Sequence, residues 1–159
     1  MNFSLEQEYR YIVLTSSSNV RSQLKSILKT PLYDIAINLT GTLSEDDSFK
    51  LYPKLTVGAE FFGISRGFAI IAGRLATNGQ QTTIEVRVRP SRSVLVVFYV
   101  FLISFLIKLF SLVKSSSEAD LILVVALFVG VIFFRSLIHF SAGRLRNRFE
   151  RLMSLYPEE

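Results

Sequence analysis

Few residues of the chain could perform chemistry, and one serine motif is the most conspicuous. Segment 63–67 (GISRG) has the G-x-S-x-G spacing of serine hydrolases, in which a sharp turn between a strand and a helix exposes the nucleophile. Both flanking runs are rich in strand formers, however, and His139 is the only histidine that could serve as a base. We therefore predict a turn at Ser65 and an interfacial polar role for His139.

Metal and nucleotide chemistry lack the residues they need. The chain has no cysteine, and its acidic run 45–47 lacks the alternating oxygen ligands of a calcium loop, so this run predicts a solvated turn. Neither G-x-x-x-x-G-K-[ST] nor G-x-G-x-x-G occurs. We expect no catalytic residue, metal ligand or cofactor, although carboxylate pairs that form only in three dimensions are invisible in a sequence.

The composition points instead to a membrane. Of 159 residues, 50% are hydrophobic and 19% are charged, and the apolar excess lies in two blocks, 94–113 and 119–140. A helix rises about 1.5 Å per residue, so about 20 residues cross a hydrocarbon core. The polar segment between the blocks is too short for a domain. Together they predict an antiparallel transmembrane hairpin.

Arginines lie on one side of the predicted hairpin, whereas the turn between the spans offers only Lys114. Under the positive-inside rule, both termini are therefore cytoplasmic, and the N-terminal sequence shows no cleavable signal. We expect seven arginines to contact lipid headgroups at the interface. They are Arg89, Arg92, Arg135, Arg144, Arg146, Arg148 and Arg151.

The first span carries a polar stripe, because Ser104, Lys108 and Ser111 recur at i, i+4 and i+7. The stripe could line a pathway or face a partner helix. The simpler reading is that Lys108 extends toward the membrane boundary while the serines bond their own backbone. On the second span, Ala126 and Gly130 favour close helix packing, either within the hairpin or between copies.

Residues 1–90 predict an α+β head. Segment 9–14 is rich in strand formers, and segments 35–43 and 49–57 predict further strands. Between them, the apolar residues recur at i, i+4, i+7 and i+8, which predicts one helix; these residues are Val20, Leu24, Ile27 and Leu28.

Asn78-Gly79 predicts a hairpin turn between two more strands. In the second of these, Thr82, Ile84, Val86 and Val88 should be buried, whereas Glu85, Arg87 and Arg89 should be solvated. The predicted fold is thus an antiparallel-sheet domain with one helix (1–90), a two-span hairpin (91–140) and a basic amphipathic tail (141–159).

The tail predicts a helix with an apolar stripe formed by Leu145, Phe149, Leu152 and Tyr156. This helix could continue the second span into the cytoplasm or bend at Gly143 and lie in the interface.

Several short features together resemble a group of small, uncharacterised bacterial membrane proteins. These are the glycine-bearing strands around Leu39–Leu43 and 73–75, the strand Phe49 to Leu51, and the segment 82–90 (TTIEVRVRP) leading into the apolar hairpin. The similarity covers roughly residues 35 to 135. It implies this architecture in a bacterial inner membrane and no catalytic residues.

We therefore expect a membrane-anchored interaction or scaffold protein that binds a protein partner or itself. The alternatives are a lipid-binding or small-ligand-binding protein and an oligomeric pore around the polar stripe. Nucleic acid is not an expected partner, because the net charge of +5 is spread over both halves (10 basic and 8 acidic residues in 1–90, 8 and 5 in 91–159). Phenylalanines that could line a ligand pocket, but that more often fill a core, are Phe49, Phe61, Phe62 and Phe68.

Overall fold

The computed structural model describes residues 5–29, 37–54, 67–78, 81–114 and 118–155. They form a five-stranded antiparallel sheet and three helices, so the predicted α+β class is confirmed. The predicted serine turn (63–66), Phe61, Phe62, Gly79 and Tyr156 lie outside these ranges. In chain order the elements are β1 (Gln7–Val13), α1 (Ser17–Lys29), β2 (Leu39–Leu43), β3 (Ser48–Pro53), β4 (Ala69–Asn78), β5 (Gln81–Pro90), α2 (Arg92–Lys114) and α3 (Glu118–Met153).

The sheet has the order β1-β5-β4-β3-β2. The strands β4 and β5 form the hairpin that the sequence predicts, with Asn78 opposite Gln81. The strand β1 then pairs with the outer side of β5, with Gln7 opposite Val88. Side chains alternate along β5 as predicted: Thr82, Ile84, Val86 and Val88 are buried, whereas Glu85, Arg87 and Arg89 are exposed.

Two helices cover the buried face of the sheet, although the sequence predicts only one there. The helix α1 contributes Val20, Leu24 and Ile27, at the predicted spacing. The second cover is the end of α3, whose buried residues are Ala142, Leu145, Phe149 and Met153. The opposite face has no described element against it. The head is therefore a two-layer structure with one open sheet face.

An aromatic contact lies at the centre of the head. The Phe149 ring is 5.9 Å from the Phe49 ring and 6.4 Å from the Tyr11 ring, and all three residues are at most 2% exposed. Gly73 makes room for this cluster, because a Cβ there would lie 2.3 Å from Phe49 Cζ. A larger residue at position 73 would displace the Phe49 ring, against which Phe149 of α3 packs.

The helices α2 and α3 pack as an antiparallel pair. Ring centroids lie 4.9 Å apart for Phe101 and Phe134, and 5.6 Å apart for Phe105 and Phe128. Gly130 faces Phe101, since a Cβ there would be 2.9 Å from its Cδ1. This small residue therefore serves packing within the hairpin.

The helix α3 contains 36 residues and continues through Gly143 to the head, a length of about 54 Å. Both α2 and α3 include a stretch that is long and apolar enough to cross a membrane. The connection from the head to α2 is also short, because only Ser91 separates the end of β5 from the start of α2. The Ser91 N–H donates to the Phe68 carbonyl at 3.0 Å. The head is thus joined to the helical pair directly at two points.

Replacing Phe149 with alanine should lower the free energy of unfolding of the head by about 3–5 kcal/mol, because the cavity would open between α3 and the sheet. Urea denaturation in a mild detergent measures the change. The matched control is Phe140→Ala on the same helix, where the ring is 62% exposed, and a change below about 0.5 kcal/mol is expected. Equal losses for the two variants would contradict the packing of α3 on the sheet.

Candidate functional site

The seven arginines predicted at the interface have different surroundings. Five are exposed, namely Arg89, Arg92, Arg135, Arg144 and Arg151. The Arg144 guanidinium lies 5.4 Å from the centroid of the Phe140 ring. Arg148 is half-buried and donates to the Asn38 carbonyl at 3.5 Å. The structure therefore does not bring the seven together at one site.

Arg146 belongs to a polar cluster between β1 and α3. Its Nε donates to Glu150 Oε1 at 2.7 Å, and the same oxygen accepts the Tyr11 hydroxyl at 2.6 Å. The Arg146 guanidinium carbon also lies 4.1 Å from the centroid of the Tyr9 ring. The cluster adds hydrogen bonds and a cation–π contact beside the Phe149 cluster.

The surroundings of this cluster raise the pKa values of both Tyr11 and Arg146. Burial raises the pKa of the Tyr11 hydroxyl well above its usual 10, and the hydrogen bond to Glu150 adds to the effect. For Arg146, partial burial acts the other way, but the hydrogen bonds to Glu150, Tyr9 and Tyr11 and the charge of Glu150 together outweigh it and raise the pKa of the guanidinium. Tyr11 therefore remains a neutral donor, and Arg146 a cation, at physiological pH.

A groove of about 1020 Å³ separates β1 from α3 just where α3 meets the head. A smaller pocket of about 400 Å³ extends along α3 past Gly143 to Arg144 and Arg146. The walls mix apolar and polar side chains. Residues that line the larger groove include Leu5, Gln7, Tyr9, Arg135, Ser136 and His139.

Sequence reasoning placed Arg135, Arg144 and Arg146 near the interface but missed the groove between them and β1. The facing wall exists because β1 pairs with β5, whose residues lie far later in the chain: Glu8 is opposite Arg87, 79 positions further on. The alternating pattern of residues 9–14 identified the strand, but no sequence signal gave its place in the sheet.

The polar stripe of α2 contains an ion pair. Lys108 Nζ lies 3.3 Å from Asp120 Oδ1 at the start of α3, and both side chains are partly exposed. Ser104 and Ser111 are half-buried on the same helix. Lys108 thus meets a carboxylate of the same chain near the turn.

The open sheet face carries two cross-strand ion pairs. Arg10 Nη2 lies 2.8 Å from Glu85 Oε1, and Arg87 Nε lies 3.0 Å from Glu8 Oε1. More than half of each of these four side chains is exposed. Salt bridges this exposed contribute little to stability. They do, however, place four charged side chains on the exposed surface of the sheet.

The acidic run 45–47 forms a turn. Asp46 Oδ1 accepts the Ser48 hydroxyl at 2.9 Å, which lowers the pKa of that carboxyl. Asp47 Oδ1 pairs with Arg21 at 2.8 Å and ties the turn to α1. Within the described ranges, no three histidine, aspartate or glutamate residues come together as a group that could hold a metal ion.

Substituting Tyr11 with phenylalanine should lower the stability of the head at pH 7 by about 1.5–3 kcal/mol, since Glu150 would lose a donor. The pKa of Tyr11 is raised on folding, so its contribution is full below about pH 10 and falls as the pH rises further. The gap between native protein and variant should therefore narrow between about pH 10 and pH 12.

Urea denaturation at several pH values measures this gap, and Tyr99→Phe on the exposed side of α2 is the control. A gap that stays constant or widens above pH 10 would contradict the linkage of Tyr11 to folding.

Comparison with known proteins adds no functional assignment. Neither models of protein families, nor curated proteins, nor solved structures gave a match to this chain. Function must therefore be inferred from the apolar helices, the groove and the open sheet face.

Proposed function

We propose that this protein is an integral membrane protein that holds an interaction head at the cytoplasmic membrane surface. The apolar side chains of α2 and α3 support the anchor. Within the most apolar 18-residue stretch of each helix, only 11% and 17% of residues are buried, whereas the core helix of a soluble protein is mostly buried. Exposed examples are Val96, Ile103, Phe110, Ile122, Val129 and Phe133.

The distribution of charge supports the orientation. Exposed arginines lie at the head end of the helical pair, including Arg89, Arg92 and Arg144, whereas the connecting turn supplies only Lys114. Under the positive-inside rule, this end is cytoplasmic. With spans at 94–113 and 119–140, both termini are cytoplasmic, and the resemblance to small bacterial membrane proteins favours the bacterial inner membrane.

One observation carries the proposed role: α3 is a single helix from the apolar stretch into the core of the head. Such a connection fixes the head relative to the bilayer, unlike a flexible linker. The covered face of the sheet is used for this attachment. The other face is left for a protein partner, and no catalytic activity is proposed.

The groove between β1 and α3 supports a second candidate, a lipid or small amphiphile. Its polar residues Arg135, Ser136 and His139 lie beside apolar Leu5 and Ile132, which suits a ligand with a charged and an apolar part. A pore around Lys108 has the least support, because the lysine pairs with Asp120 within one chain.

The orientation can be tested in intact cells, because the chain has no native cysteine. Single variants Asn19→Cys in the head and Glu118→Cys at the turn would be treated with a membrane-impermeant maleimide. Glu118→Cys should react at once, and Asn19→Cys only after permeabilisation. The reverse pattern would contradict the orientation, and reaction at both sites in intact cells would contradict the spanning hairpin.

Partner binding can be tested with a photoreactive phenylalanine at position 72, in the middle of the open sheet face. The matched control is position 22 on the exposed side of α1. A discrete adduct with a second, defined polypeptide is expected from position 72 alone. Absence of that adduct, or the same adducts from both positions, would contradict the proposed function.

A further inference from the structure

The open sheet face has a positive centre around Ala72. Ala72 lies in the middle strand, β4, with Lys50 opposite on β3 and Arg87 opposite on β5. Arg74 is the next residue of β4 on this face, and Arg89 lies opposite Ile70. Neighbouring strands are about 4.8 Å apart, and successive side chains on one face are about 7 Å apart. Four cations therefore surround one small residue.

Carboxylates on this face are too few to balance its cations. Glu8 and Glu85 lie on it, and each already forms an ion pair with an arginine of β5 or β1. In the described part of the chain, none of Lys50, Arg74 and Arg89 forms an ion pair, although the charge of Asp46, in the turn before β3, acts on Arg74. Since all three are exposed and like charges on neighbouring strands repel, an added anion would relieve the repulsion.

The shape of this centre favours an extended ligand. Ala72 and Ile70 are half-buried and have shorter side chains than the lysine and arginines around them, which are exposed. A carboxylate placed above Ala72 could therefore contact Lys50, and also Arg87 if that guanidinium is shared with Glu8. A segment lying along β4 would present successive carboxylates to Arg74 and Arg89.

The direction of the strands argues against the bilayer as the ligand. Arg89 lies next to the start of α2, but Arg74 sits beside Glu85, four residues earlier on β5, a distance of about 14 Å along the strand. The potential of charged lipids decays over about 8 Å at physiological ionic strength. Arg74 is therefore beyond the reach of the membrane surface, whereas Lys50 and Arg87, about 7 Å from Arg89 along the strand direction, are not, so a bilayer cannot engage all four cations together.

We infer that the open sheet face binds an acidic, extended segment of a partner protein, with its carboxylates held by Lys50, Arg74, Arg87 and Arg89. This inference rests on the proposed function and adds the chemistry of the partner. Charge complementarity of this kind sets the rate and selectivity of binding more than its total strength.

The test uses the full chain in nanodiscs of phosphatidylcholine and a fluorescent peptide of alternating glutamate and serine. The anisotropy of the peptide should report binding that weakens as salt is added. The double reversal Lys50→Glu with Arg74→Glu should weaken binding by at least about tenfold. The matched reversal Lys25→Glu with Lys29→Glu, on exposed positions of α1, should change it by less than about twofold.

Neutral variants Lys50→Gln and Arg74→Gln should weaken binding to an intermediate degree, and they keep the test decisive should the reversed protein not fold. Equal effects of the β-sheet and α1 reversals would overturn the inference, as would tighter binding to phosphatidylglycerol vesicles, to an oligothymidine strand or to a second copy of the chain.

The outcome at position 72 separates this inference from the proposed function. If a defined adduct persists after the double reversal, the proposed function is supported, but the inference that the partner segment is acidic is contradicted. Loss of the adduct in the reversed protein, with folding retained in urea denaturation, supports both. No adduct in the native protein removes the proposed function, and the inference with it.

Discussion

The insertion of Phe149 between Tyr11 and Phe49 is the contact on which the rest of this structure depends. A sheet with one apolar face must cover that face, and α1 alone is too small to cover five strands. The remaining cover comes from the far end of the chain, carried there by α3. The end of α3 therefore belongs to the core of the head, whereas α2 and the middle of α3 form a second cluster with Phe68, and α3 is the continuous element that joins the two.

The helix α3 is also held at both of its ends. At the head, the hydroxyl of Tyr11 on β1 donates to Glu150, and the guanidinium of Arg146 lies over the ring of Tyr9. At the turn, Asp120 meets Lys108 of α2. Between these points, Gly130 allows the ring of Phe101 to approach. Polar contacts thus fix the ends of α3 against β1 and against α2, and apolar side chains pack between these two points.

The sequence predicted what depends on local periodicity and missed what depends on distant pairing. The alternation along β5, the apolar stripe of α1 and the two apolar helices follow from side-chain spacing, and all three are observed. The stripe of Leu145 and Phe149 is equally suited to a lipid interface or to a sheet, so spacing alone could not choose between them. The place of β1 beside β5, and hence the groove, depends on contacts across the whole head. The positive centre around Ala72 is likewise visible only once the register of three strands is known.

The position of Phe149 near the C-terminal end of α3 imposes an order on biosynthesis. All five strands leave the ribosome before α2, and the last turns of α3 emerge only after both apolar stretches have been made. Until then the apolar face of the sheet lacks the cover that the end of α3 supplies, and exposed apolar surface of that kind is prone to aggregate. The core of the head is therefore completed only after both apolar stretches have been synthesised.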